Sequence, residues 1–151
     1  MADILIVDDD ELIAELASQI LIEAGHACDW VTSGEEALAL LKVRCPDLVL
    51  LDDDMPGMTG SQMLRQLRSS PRDYDLPVIM FTSISGAQDE ELALFNGAQD
   101  YLRKPFLPRE LLRKIEQLLR ARAETPGHRD LTEVLEMAAG RYRDHTHRYL
   151  I

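Results

Sequence analysis

Two runs of three aspartates interrupt this sequence where apolar segments end. Asp8-Asp9-Asp10 follows Ile4-Leu5-Ile6-Val7, and Asp52-Asp53-Asp54 follows Leu48-Val49-Leu50-Leu51. Thr82-Ser83 follows Val78–Phe81, and Lys104-Pro105 follows a stretch from Gln99 to Arg103. Crowded carboxylates cannot all stay ionised without a counter-charge. One lysine does not balance them, whereas a hard divalent cation would. Oxygen donors with no His or Cys beside them select Mg²⁺, or Mn²⁺, over Zn²⁺. Lys104 and the Thr82 hydroxyl then remain to meet an incoming anion. A carboxylate, a divalent cation, a lysine and a hydroxyl in one crevice describe phosphoryl transfer onto the carboxylate. Taken singly, each group is more simply a solvated charge past a strand end; the conjunction of four carries the reading.

The conjunction needs a fold that delivers four strand ends to one edge. Short apolar runs alternate with amphipathic stretches. Strands are predicted at Ile4–Val7, Ala27–Thr32, Leu48–Leu51, Val78–Phe81 and Gln99–Arg103. Helices are predicted from Glu11 to Ala24, from a Ser33 cap to about Arg44, from Ser61 to Ser69, from Gln88 to Asn96, and from Pro108 to about Arg122. "SSPRDYDLP" reads as a loop. Five strands alternating with five helices imply an α/β fold, a doubly wound parallel sheet covered on both faces. Ligands of such sheets bind beyond the carboxyl ends of the strands, where the polar groups fall.

The bulk numbers agree. The 151 residues suit one domain with an appendage. The net charge is −11, with 22 acidic and 12 basic residues up to Arg122 and 5 against 4 after it. Neither part is a basic footprint, so direct nucleic-acid binding is disfavoured. Cys28 and Cys45 form no Cys-x-x-Cys and are expected to be reduced, buried thiols. No apolar run approaches the ~18 residues of a membrane span, and no basic leader or myristoylation signal opens the chain, so a cytoplasmic location without membrane contact is expected.

The stretches "ILIVDDD", "PDLVLLDDDMPGMTG", "VIMFTS" and "GAQDYLRKPF", in that order, resemble the receiver domains of two-component response regulators, including the chemotaxis-regulator type. The resemblance covers residues 1 to about 122. It implies a flavodoxin-like strand order of 2-1-3-4-5. It implies that Asp52, three residues before Met55-Pro56, is the phosphoacceptor; strand alternation agrees and turns Asp53 away. Asp8 and Asp9 match the acidic pair, Asp9 reaching Mg²⁺ directly and Asp8 mainly through water, with Asp52 and the backbone carbonyl of Asp54 completing the metal site. Thr82 matches the switch hydroxyl, Lys104 the phosphoryl-binding lysine with a cis bond to Pro105, and Tyr101 the aromatic that turns inward on activation. On its own, Tyr101 is a half-buried strand tyrosine. Asp54 and Ile84 occupy positions that tune the lifetime of the acyl phosphate. The implied donor is a sensor histidine kinase or a phosphotransfer protein. The implied output is a change in affinity of the face made by the fourth helix, fifth strand and fifth helix, for a downstream protein, a second copy of the chain, or an output domain of its own.

Residues 123–151 lie outside the resemblance. "AETPGHR", 123–129, reads as a linker. From Asp130, with Glu133 completing a capping box, Leu131, Val134, Leu135, Ala138 and Tyr142 recur at helical spacing, so 130–151 is expected to be an amphipathic helix. It is open whether this helix docks on its own domain or a dimer mate, binds a partner, or begins a truncated output region. Two rival functions stand beside the receiver. Asp52-x-Asp54 also resembles the start of haloacid-dehalogenase-type phosphatases, but those carry Gly-Thr or Gly-Val where this chain has Met55-Pro56, and no acidic metal motif follows Lys104. A receiver-fold scaffold that is never phosphorylated would not need the full set Asp8, Asp9, Asp52, Thr82 and Lys104. The expected role is that of a switch, not an enzyme.

Overall fold

The computed structural model describes residues 1–82 and 97–124. The elements are β1 (Asp3–Val7), α1 (Glu11–Glu23), β2 (Ala27–Val31), α2 (Gly34–Leu41), β3 (Leu48–Asp52), α3 (Gly60–Ser69), β4 (Val78–Thr82), β5 (Asp100–Arg103) and α4 (Pro108–Glu124), the last being the fifth helix expected from the sequence. Ala123 and Glu124, expected to open the linker, close α4 instead; the rest of the linker at 125–129, the helix expected over 130–151, the helix expected at Gln88–Asn96, and Ile84 lie outside the described residues.

The five strands form one parallel sheet in the order β2-β1-β3-β4-β5. Strand alternation sorts the side chains into two cores. Leu5, Val7, Val49, Leu51, Val78 and Met80 pack with α2 and α3 residues such as Ala37, Leu41, Met63 and Leu67. Ile4, Ile6, Leu48, Leu50, Ile79 and Phe81 pack with Ala14, Ala17 and Leu21 of α1 and Leu111 and Ile115 of α4. The inner strands β3 and β4 are buried along their whole length, which is why their sequences are unbroken apolar runs.

Several boundaries differ from those the sequence suggests, each for a local reason. The α2 helix ends at Leu41, not Arg44. Arg44 is instead drawn into a clasp with the carboxylates of Asp3 and Asp29, tying the start of β1 to β2. The α3 helix starts at Gly60, where Thr59 and Gln62 make a reciprocal capping box. The strands β3 and β4 each run one residue further, taking in Asp52 and Thr82. Both cysteines are free thiols, but Cys45 is exposed and Cys28 only half-buried, so the expected burial fails for Cys45. Among the described residues no helix is long and apolar enough to cross a membrane.

Candidate functional site

Strand register decides which of the polar residues meet. Val7 is level with Leu51, so Asp8, the next residue, comes level with Asp52. Both continue the alternation of the α1–α4 side, as do Ile6 and Leu50. Thr82 is level with Arg103, and Lys104 follows, its backbone N–H donating to the Thr82 carbonyl at 2.7 Å. The result is a cleft of about 450 Å³ beyond the strand ends, lined by Asp9, Asp10, Ile13, Asp52, Asp54, Lys104 and Pro105.

Inside it the charges are closely packed. The Lys104 Nζ lies 2.8 Å from Asp8 Oδ2 and 3.4 Å from Asp52 Oδ1. Asp8 is fully buried and Asp52 nearly so, at 3 % exposure. The Asp54 backbone N–H donates to Asp52 Oδ1 at 3.2 Å, and the Asp10 N–H to Asp8 Oδ1 at 2.9 Å. Burial pushes the Asp52 carboxyl up from 3.8 to about 7; Lys104 opposes this, Asp8 adds to it, and the Asp54 N–H opposes it in turn. Hydrogen bonding to Asp8 and the charge of Asp52 hold the Lys104 ammonium above its ordinary value against the opposing effect of burial. Lys104 is therefore the cation in this cluster, while Asp52 is a carboxyl poised between its two forms near neutrality.

Oxygens of Asp8, Asp9 and Asp52 all lie within 4.8 Å of one another. The donors are all carboxylate oxygens, their charge exceeds that of Lys104, and Asp9 is exposed at the mouth. This set fits a hard divalent cation such as Mg²⁺. Asp54 also lines the cleft. The Lys104-Pro105 bond is cis.

Two other expected residues lie in β4 and β5 themselves. Thr82 is buried at the end of β4, where alternation continues the side of Val78 and Met80. Tyr101 is partly buried against that same core, with the Lys114 Nζ 5.1 Å from its ring centre. Asp53 does turn away from the cleft, but it is not idle: its Oδ1 accepts from the backbone N–H (3.0 Å) and the hydroxyl (2.7 Å) of Ser61.

Two supporting residues escape a sequence reading. Asp10 caps α1, its Oδ1 accepting from the Leu12 and Ile13 N–H groups. An Asp just before a helix is a cap signal, masked here by the two acids before it. Gly60 starts α3 against the end of β3. A Cβ there would collide with the Asp52 carbonyl oxygen and lie 2.8 Å from Asp53 Cα. Periodicity carries no trace of such a close approach.

With this geometry established, the family model for the response regulator receiver domain matches residues 4–116. The chain belongs to this family. The phosphate regulon transcriptional regulatory protein PhoB of Pseudomonas aeruginosa is 40% identical over 118 residues, which are 78% of this chain and 51% of that protein. The DNA-binding response regulator MtrA of Mycolicibacterium smegmatis is 38% identical over 123 residues, 82% of this chain and 53% of that protein. The chain thus spans about half the length of these curated relatives. The structure of the chemotaxis response regulator CheY4 of Vibrio cholerae aligns with a TM-score of 0.74 at 30% identity, covering 78% of this chain and 98% of that one. The receiver fold, with its 2-1-3-4-5 sheet, is therefore both the family's and this chain's. Neither the phosphatase nor the scaffold reading gains support from these relatives.

Proposed function

We propose that Asp52 accepts a phosphoryl group from a phosphohistidine on a sensor histidine kinase or a phosphotransfer protein, and that the acyl phosphate switches the partner affinity of this receiver. One observation carries the reading: in a chain of this family, Lys104 stands within 3.4 Å of both Asp8 and Asp52 at the floor of an open cleft. In the transfer, an Asp52 carboxylate oxygen attacks phosphorus, the P–N bond breaks, and the imidazole leaves with the electron pair. Asp52 must be ionised to attack, and the Lys104 ammonium and the Asp54 N–H favour that form against the opposing effect of burial. Asp8, Asp9 and Asp52, with the Asp54 carbonyl, would hold Mg²⁺, which when bound supplies positive charge to the carboxylates and to the transferring oxygens. Lys104 sits where it can follow the new anion.

A protein donor is supported by the surroundings of the cleft. Ile13 and Pro105 line it, and Leu12, Leu16 and Leu107 nearby in sequence are 78%, 53% and 68% exposed. Such apolar exposure suits a macromolecular donor better than a small phosphate ester. Downstream, Thr82 and Tyr101 report the phosphoryl group to the face built from β5, α4 and the helix expected at Gln88–Asn96. The charge event thereby biases a two-state element. Ile84 and Asp54 set the lifetime of the modified state. The acidic balance of residues 1–122 supports a protein rather than DNA as the immediate target of that face.

The test is incubation with Mg²⁺ and acetyl phosphate, followed by intact mass measurement. One added phosphoryl group, lost in Asp52→Asn, is expected. Continuous turnover of a phosphate ester without an adduct would instead indicate a phosphatase, and no adduct with any donor a scaffold.

A further inference from the structure

Resting on the reading of Lys104 just given, we propose that Arg68, acting through Gln99, is a positioning residue for Lys104: it clamps the register of β5 on β4. The β5 strand has four residues and lies at the sheet edge, paired with β4 alone. So short an edge strand fixes its own register weakly, and a slip of one residue turns every side chain to the other face. A slip would also carry Lys104 roughly 3.3 Å along the strand direction. Its present distances of 2.8 Å to Asp8 and 3.4 Å to Asp52 leave no room for that.

The register is held from outside the strand. Gln99, the residue before β5, bonds Val78 twice: its N–H donates to the Val78 carbonyl at 3.0 Å, and its Oε1 accepts from the Val78 N–H at 2.7 Å. The second bond replaces a strand with a side chain, so it depends on where the amide points. Arg68, in the last turn of α3, fixes that direction. Its Nη2 donates to the same Oε1 at 2.8 Å and its Nε to the Gly97 carbonyl at 2.8 Å. Its Nη1 reaches the Asp73 and Tyr74 carbonyls at 3.3 Å each. A planar guanidinium spreads such donors in a rigid fork, which a lysine cannot reproduce. Residue 97 is shaped to admit it: Gly97 has φ +105°, and a Cβ there would lie 3.0–3.2 Å from the Arg68 side chain. One side chain thus joins the end of α3, the turn before β4 and the approach to β5, and only extended backbone separates Gln99 from Lys104.

The test is a double-mutant cycle on the full chain. Acetyl phosphate and Mg²⁺ supply the phosphoryl group, and intact mass gives the rate for the parent, Arg68→Met, Lys104→Ala and the double variant. Arg68→Met should slow phosphorylation roughly tenfold, short of the ~100-fold that an ångström of misplacement can cost, and should have no further effect once Lys104 is alanine. Gln99→Met should behave like Arg68→Met, and Gln99→Glu, which keeps the acceptor, should retain the parent rate. Equal slowing by Arg68→Met in both backgrounds would mark it as a general support of the fold and overturn the proposal. Should Lys104→Ala alone phosphorylate at the parent rate, the reading of Lys104 fails and the proposal with it. If Arg68→Met does not fold, Gln99→Met takes its place in the cycle: slowing only while Lys104 is present supports the clamp, and equal slowing in both backgrounds overturns it.

Discussion

Replacing Asp52 by asparagine should stabilise the metal-free protein while abolishing its phosphorylation. A carboxyl whose folded pKa, here about 7, exceeds its ordinary 3.8 binds its proton more tightly when folded. It therefore withdraws stability as pH rises between those values, and the withdrawal is complete above the higher one. About three pKa units correspond to about 4 kcal/mol. Burial is the main cause, but the carboxyl lines an open cleft that water reaches, so the expected cost is about 2–4 kcal/mol, on the order of 10 °C in Tm for a domain of this size. Asparagine keeps the acceptor for the Asp54 N–H, and Lys104 keeps its 2.8 Å partner Asp8, so no new buried charge is left alone. Thermal or denaturant unfolding in EDTA should find Asp52→Asn more stable than the parent at pH 8, with the two converging below about pH 4 as Asp52 is protonated in both states. Mg²⁺ should then raise the parent's stability with concentration and raise the variant's much less. A variant no more stable than the parent at pH 8 in EDTA would refute this account of the cluster.

Three further outcomes follow from the same geometry. Gly60→Ala should cost about 1–3 kcal/mol by overpacking against the β3 carbonyl, seen in denaturant unfolding, and should slow acetyl phosphate labelling because the displaced backbone carries Asp52. Asp10→Ala removes the α1 cap and should cost about 1 kcal/mol in a thermal melt, with phosphorylation still detectable by mass. Lys104→Ala should still take up a phosphoryl group, roughly 10–100-fold more slowly, yet give a poor partner response in a phosphorylation-dependent pull-down; a full response would remove Lys104 from the switch.

The parallel sheet and the cleft are legible in the sequence because buried parallel strands must be continuous apolar runs and because ligands collect at their carboxyl ends. Period-2 alternation and the order of the strand ends are enough to bring Asp8, Asp52 and Lys104 to one edge. What escapes has a different physical origin. Arg44 reads as the end of a helix, since nothing local reveals that Asp3 and Asp29 claim it. Gly60 gives no local signal, since its constraint is a neighbouring strand's backbone, which leaves no pattern. Nothing in the sequence around Arg68 signals that its fork is spent on backbone carbonyls and Gln99. Asp53, expected only to turn away from the site, accepts from Ser61 on the other side. In each case partners distant in sequence, which periodicity does not encode, decide the role.

The alternation that sorts the two cores also divides the labour of the protein. Asp52, Asp8 and Lys104 belong to the α1–α4 side of the sheet, whereas Thr82 and Tyr101 belong to the α2–α3 side. The β-sheet thus sets the proposed phosphoryl site and its proposed reporters on opposite faces, yet at the edge strand Lys114 of α4 lies over the Tyr101 ring. Because α4 packs on the side of Asp8 and Asp52 while its Lys114 reaches Tyr101, the short strand β5 is where a change on one face of the sheet can be felt on the other.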